Sequence, residues 1–285
     1  MKVMITGAGG QLGRALGASS PATAECVKLT SAELDIGDES AVSRMITAER
    51  PALILNAAAY TAVDRAESEE ADALRVNGQG VANLAKAARD HGARLVHIST
   101  DFVFDGSSST PYRPDSPTAP LGAYGRTKLA GEQAAGPETL IVRTAWVYGS
   151  EGHNFVRTML RLMAERDEVR VVADQIGTPT FAGSLARAIW ALAETGTTGI
   201  HHFTDSGAAS WYDFAVAIQE EALAVGLLDR QVPVVPIATA DFPTPATRPA
   251  YSVLDKSATF ALLGGPAPHW RVNLRLMLQD VKRHG

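Results

Sequence analysis

Short apolar runs rich in β-branched residues alternate with longer segments whose apolar positions recur every three or four residues. KVMIT (2–6), ECVKL (25–29), ALILN (52–56), RLVHIS (94–99) and TLIVRT (139–144) have the length and composition of strands. Between them QLGRALGAS, ESAVSRMITAE, EEADALRVNGQGVANLAKAARDHG and AYGRTKLAGEQAA carry the spacing of amphipathic helices. Strand–helix alternation of this kind predicts an α/β fold, Rossmann-like and doubly wound, with a parallel sheet covered by helices on both faces. Gly78 and Gly80 interrupt the third helical pattern and predict a kink or break there. Asn77 beside them is a poor helix residue, suited to organising that kink or a water.

After residue 146 the rhythm loosens. The pattern predicts helices near 154–166, 181–195, 210–224 and 269–283, and strands near 168–172, 199–204 and 234–238, with proline-rich connections such as DFPTPATRPAYS (241–252). The expected layout is a first domain over 1–146 and a smaller C-terminal α/β lobe over 147–285, some of whose segments return to the first sheet.

With 285 residues and 46% hydrophobic content the chain can bury a large core. A formal charge of −5 offers no basic excess for nucleic acid or an anionic membrane surface. One cysteine, Cys26, excludes an internal disulfide and gives no zinc spacing, and the histidines are scattered, so no metal site is expected. No apolar run reaches membrane-spanning length, and MKVMITGAGG turns glycine-rich too early for a signal peptide. The expectation is a cytoplasmic protein, monomeric or a homodimer.

The first strand runs directly into TGAGGQLGRAL, with glycines at 7, 10 and 13. Gly7 permits a tight turn, Gly10 lets backbone approach a pyrophosphate, and Gly13 lets helix and strand pack closely. The helix N-terminus then presents free N–H groups and a positive dipole end, as phosphates require. Small residues in NAAAYT (56–61), among them Ala57, would let a dinucleotide lie flat across the sheet edge. Asp35, some twenty residues past the glycines, lies beyond the second strand, where it is equally a ribose ligand or a cap or turn residue. The strand tip, KLTS, carries no acid; Thr30 and Ser31 are free to bond a 2′-phosphate, which favours NADPH while leaving NADH possible.

HISTDFVFDG (97–106) leaves the fourth strand at its C-terminal end, where ligands sit in open parallel sheets, so Ser99 and Thr100 are placed to face a carbonyl. Tyr124 and Lys128 stand four residues apart at the start of the next helix, about 6 Å of rise, and leave one face together. A nearby ammonium favours phenolate, so Lys128 is expected to lower the pKa of Tyr124 and make it a better proton donor. Arg248 in ATRPA is suited either to a substrate diphosphate or to a structural carboxylate.

The glycine pattern, NAAA, the strand-end Ser-Thr and Tyr-x-x-x-Lys together resemble the extended short-chain dehydrogenase/reductases. More narrowly, NAAAYTAVDRAE, HISTDFVFDG, YGRTKLAGE, RTAWVYG, DQIGTPT and RPAYSVLD resemble the dTDP-4-dehydrorhamnose reductase family, nearly end to end. That resemblance implies reduction of the C4 ketone of a nucleotide sugar for cell-surface polysaccharide. It implies Tyr124 as proton donor, Lys128 as its partner, Thr100 as carbonyl contact, and Asp101 and Trp146 as substrate contacts. Gly7, Gly10, Gln11, Leu12, Gly13, Asp35, Ile36, Ala57, Ala59, Tyr60 and Thr61, with Tyr124 and Lys128, would hold the cofactor. Where related 4,6-dehydratases place a glutamate base after Thr-Asp, this chain has Phe102, which cannot accept a proton. Another nucleotide-sugar ketoreductase or epimerase, or a non-catalytic subunit on the same fold, remain the alternatives.

Overall fold

In the structure, a computed structural model that describes residues 1–284, the five apolar runs are strands β1 (Lys2–Thr6), β2 (Glu25–Leu29), β3 (Leu53–Asn56), β4 (Arg94–Thr100) and β5 (Leu140–Thr144). Their connections hold α1 (Gln11–Ala18), α2 (Glu39–Glu49), α3 (Val63–Ala66), α4 (Glu70–Leu74), α5 (Gly80–His91) and α6 (Ala123–Ala135). Asp38 caps α2 by accepting from the Ala41 N–H, and Gly92 ends α5 in the left-handed region. Between α4 and α5 the helix does not break at the glycines. Arg75–Gln79 instead forms a π-helical turn that carries the chain through without a gap.

Beyond β5 follow β6 (Val147–Tyr148), α7 (Phe155–Glu165), β7 (Val169–Val172), β8 (Ile176–Gly177), β9 (Thr180–Phe181) and α8 (Ala182–Thr195). Then come β10 (Gly199–His202), β11 (Ala209–Ser210), α9 (Trp211–Val225), β12 (Val234–Ile237), α10 (Ser257–Leu262) and α11 (Trp270–His284). The main sheet has the order β2-β1-β3-β4-β5-β10 and is parallel throughout; β10 pairs with β5, Gly199 opposite Leu140.

The two-residue alternation of β1 explains the layering. Val3 and Ile5 face one side and pack with Leu16 of α1 and Leu185, Ile189 and Trp190 of α8. Met4 faces the other side, with Val42 and Ile46 of α2 and Leu84 of α5. Each such side chain stabilises the fold by about 1.5–3 kcal/mol when fully buried. Trp190 also donates its indole N–H to the Leu16 carbonyl at 3.0 Å, tying α8 to α1. A second core lies apart from the sheet, where Met159, Met163, Phe214, Ile218, Leu274 and Met277 join α7, α9 and α11 over β7. Among the described residues no helix is long and apolar enough to cross a membrane.

Candidate active site

The glycine loop shows three separate requirements. Gly7 has φ +67°, and a Cβ there would stand 2.5 Å from the Ala58 nitrogen, so the loop lies directly on the end of β3. A Cβ on Gly13 would be 2.2 Å from the Gly7 carbonyl oxygen, which fixes how closely α1 packs on its own loop. Gly10 is exposed, and a Cβ there meets nothing nearer than the Gly7 oxygen at 3.3 Å; the space above it is open for a ligand. The first helical bond runs from the Arg14 N–H to Gly10, so the N–H groups of the preceding turn have no helical acceptor.

A cleft of about 1010 Å³ opens over this loop and the C-terminal ends of β1, β3, β4 and β5. Gly7, Gly10, Gln11, Leu12, Asp35, Ile36, Ala57, Ala59, Tyr60 and Thr61 all line it. Thr100, Asp101, Tyr124, Lys128 and Trp146 line it too, so one cleft holds both expected sets. Gly13 does not line this cleft; its role is the close packing just described. The open space above Gly10, the row of alanines and the unpartnered helix N-terminus fit a dinucleotide's phosphates and flat backbone.

Asp35 does not cap α2. Its carboxylate accepts from the Gly37 N–H at 2.9 Å and pairs with Arg75 Nη1 at 2.6 Å. The tip of β2 differs from the expectation, because Glu33 folds back and its Oε2 accepts from both the N–H and the hydroxyl of Thr30, each at 2.8 Å. An acid therefore stands at the strand tip, and the Thr30 hydroxyl is already engaged. Asn77, in the π-helical turn, accepts from the Tyr60 N–H at 2.9 Å and donates to the Tyr60 carbonyl and to Thr127 Oγ1, each at 3.1 Å. The bulge thus locks the Ala59–Thr61 loop to the helix that carries Tyr124.

Gly122, at the cap position before helix α6, has no side chain to offer; the Glu67 carboxylate supplies the missing acceptor, taking the Ala123 N–H at 2.8 Å. Tyr124 packs edge-to-face on Phe102, ring centroids 5.6 Å apart. The Thr100 hydroxyl lies between Tyr124 and Asp101 and donates to Asp101 Oδ1 at 3.0 Å. Asp101 is buried; its Oδ2 makes no well-formed hydrogen bond, with the Ser252 side chain close by the carboxylate. Burial raises its carboxyl to about 6.

The expected lowering of Tyr124 by Lys128 does not occur. Burial, reinforced by the charge of Asp101, pushes the phenol up to about 12. Lys128 donates instead to the Ile98 carbonyl at 2.6 Å, and burial brings its ammonium down to about 8. Tyr124 therefore holds its proton, the state a donor needs.

Behind this wall Glu132, one turn past Lys128, takes the Ser99 hydroxyl at 2.5 Å and both Nε and Nη2 of Arg143 at 2.8 and 2.6 Å. Both charged side chains are almost wholly buried, 3% and 4% exposed. The pair joins α6 to β5, with β4 between.

Trp146 has φ +47°, a left-handed backbone that a tryptophan seldom adopts. Its indole stacks on Trp211 with centroids 3.6 Å apart and 8° between planes. Gly177 makes room for it, since a Cβ there would lie 2.5 Å from the Trp146 ring. Trp211 also lines the cleft and was not anticipated; a tryptophan opening a helix 65 positions later carries no local sign of that neighbour. Arg248 lines the cleft, and its guanidinium pairs with the Asp64 carboxylate at 3.1 and 2.8 Å.

A parallel doubly wound sheet, a glycine loop and a Thr–Tyr–Lys wall at its C-terminal edge define an extended short-chain dehydrogenase/reductase. The family model described as "RmlD substrate binding domain" matches residues 1–283. The chain is 43% identical to the dTDP-4-dehydrorhamnose reductase of Burkholderia thailandensis, over 99% of each chain. It is 44% identical to a probable dTDP-4,6-dihydroxy-2-methyloxan-3-one 4-ketoreductase of Streptomyces antibioticus, over 99% of this chain and 96% of that protein. The crystal structure of dTDP-4-dehydrorhamnose reductase from Bacillus anthracis in complex with NADP superposes with a TM-score of 0.91 at 38% identity, covering 98% of this chain and 99% of the other. The chain belongs to the dTDP-4-dehydrorhamnose reductase family.

Proposed function

We propose that this protein reduces the C4 ketone of dTDP-4-dehydro-L-rhamnose to dTDP-L-rhamnose, for cell-surface polysaccharide, using NADPH or NADH. The carrying observation is one cleft lined by both the glycine loop and Thr100, Tyr124 and Lys128. The loop and the alanines after β3 would hold the dinucleotide, and a reduced nicotinamide bound there supplies the hydride. Tyr124 gives its phenolic proton to the C4 oxygen as negative charge develops on it. Thr100, by turning its single hydroxyl proton from Asp101 to the same oxygen, stabilises charge as it forms. The Asp101 carboxylate, which lines the cleft, accepts from a sugar hydroxyl, and the Trp146–Trp211 stack forms the apolar wall for the sugar nucleotide. The protein acts in the cytoplasm as a monomer or homodimer.

The same chemistry on another 4-keto sugar is the second reading, favoured by the Streptomyces relative's name. Elimination is disfavoured, because Phe102 packs on Tyr124 where a dehydratase needs a base. The test is incubation with NADPH and a dTDP-4-keto-6-deoxy sugar, following loss of nicotinamide absorbance and analysing the product. Consumption of one NADPH per ketone is expected. A 4-keto-6-deoxy product from dTDP-glucose with unconsumed NAD would overturn the reading.

A further inference from the structure

The loop after β6 reaches back over the first turn of α1. There Asn154 donates to Gln11 Oε1 at 2.9 Å and to the Gly149 carbonyl at 2.8 Å, while Gln11 Nε2 donates to the His153 carbonyl at 3.3 Å. Asn154 is buried and also caps α7, its Oδ1 accepting from the Arg157 N–H at 3.0 Å. The next residue, Phe155, opens α7 and packs on Trp211 with ring centroids 4.6 Å apart. Trp211 in turn carries the stacked Trp146. An unbroken series of contacts thus joins Gln11, which opens α1 after the glycine loop, to the indole pair in the cleft.

The far end of this series is under strain. Trp146 holds a left-handed backbone, which in a residue other than glycine persists only where its neighbours enforce it and relaxes when they do not. Trp211 and the space left by Gly177 enforce it here. A dinucleotide on the glycine loop would fix the first turn of α1, and with it Gln11, Asn154 and the start of α7. Phe155 then stays against Trp211, Trp146 keeps its strained form, and less order remains to be imposed when a sugar nucleotide arrives. We propose that Asn154 is a positioning residue that couples the cofactor loop to the indole wall, so that dinucleotide and sugar nucleotide each tighten the other's binding. The inference rests on the cofactor and substrate reading above.

The test is calorimetric titration of dTDP-L-rhamnose with and without saturating NADPH, and of NADPH with and without dTDP-L-rhamnose. The pair cannot react, because the ketone is already reduced. Wild type should bind each about fivefold or more tightly in the presence of the other, by the same factor in both directions, as linkage requires. Asn154→Ser keeps an oxygen to cap α7 but is too short to bridge to Gln11. Each ligand should still bind this variant alone, while the factor falls toward one. Phe155→Leu leaves Asn154 and Gln11 in place and should lose the factor as well. A merely structural role would weaken both ligands or lower the melting temperature with the factor intact. The wild-type factor kept in either variant, or a factor of one in wild type, would overturn the inference alone. Failure of wild type to bind NADPH would overturn the cofactor reading, and failure to bind dTDP-L-rhamnose the substrate reading, with this inference in either case.

Discussion

Tyr124 keeps its proton because burial and the Asp101 charge both oppose phenolate. If Tyr124 is the proton donor proposed above, Tyr124→Phe should lower turnover by roughly 10²–10⁴-fold while the dinucleotide, followed by titration, still binds. Near-normal turnover would remove it from the chemistry. Asp101 leads to a prediction about stability. Its folded pKa of about 6 stands above the ordinary 3.8, so the native state resists losing that proton. The penalty is absent below the unfolded value and grows as pH rises from about 4 to about 6. Asp101→Asn should therefore be more stable than wild type at pH 7.5, by about 1–3 kcal/mol, with the gap closing near pH 4 in denaturant titrations. A gap constant with pH would contradict the assignment. At this scale the sequence was legible where chemistry is encoded in spacing, as with Tyr124 and Lys128. It was silent where a side chain doubles back, as Glu33 does, or where two distant rings meet, as Trp146 and Trp211 do.

Among the elements, α6 has more to do than present two side chains. Tyr124, Lys128 and Glu132 follow one another at single-turn intervals, and Glu132 anchors the helix to β5 through Arg143. Glu132→Gln leaves a guanidinium buried without its counter-charge and should cost about 3–5 kcal/mol in chemical denaturation. Glu132→Gln combined with Arg143→Met should recover much of that loss, since replacing both charges removes the uncompensated one. Equal losses in the single and double variants would show that the pair itself is not the anchor. The helical face was readable in YGRTKLAGE, but a partner eleven residues away on another strand was not, because such pairings follow from topology rather than local pattern. The π-helical turn is similar: two glycines marked the irregularity, whereas its form depends on Asn77 reaching the Tyr60 backbone.

For the whole molecule, strand–helix alternation carried the sheet and placed its strand limits to within a residue or two, since period-two and period-3.6 patterns need no knowledge of the rest of the chain. It also led to the expectation that later segments return to the first sheet, without saying which. Strand β10 completes the sheet beyond β5, and α8 covers Val3, Ile5 and Val142. During synthesis, then, the first 146 residues emerge with β5 as a bare edge and an apolar face uncovered, the condition under which sheets join their neighbours. A fragment of residues 1–146 expressed alone should run as aggregates in size-exclusion chromatography, and a soluble monomer would contradict this. The nascent protein therefore has a vulnerable interval that ends only when the ribosome has delivered the helix and strand that cover it, making the later half an internal chaperone for the earlier one.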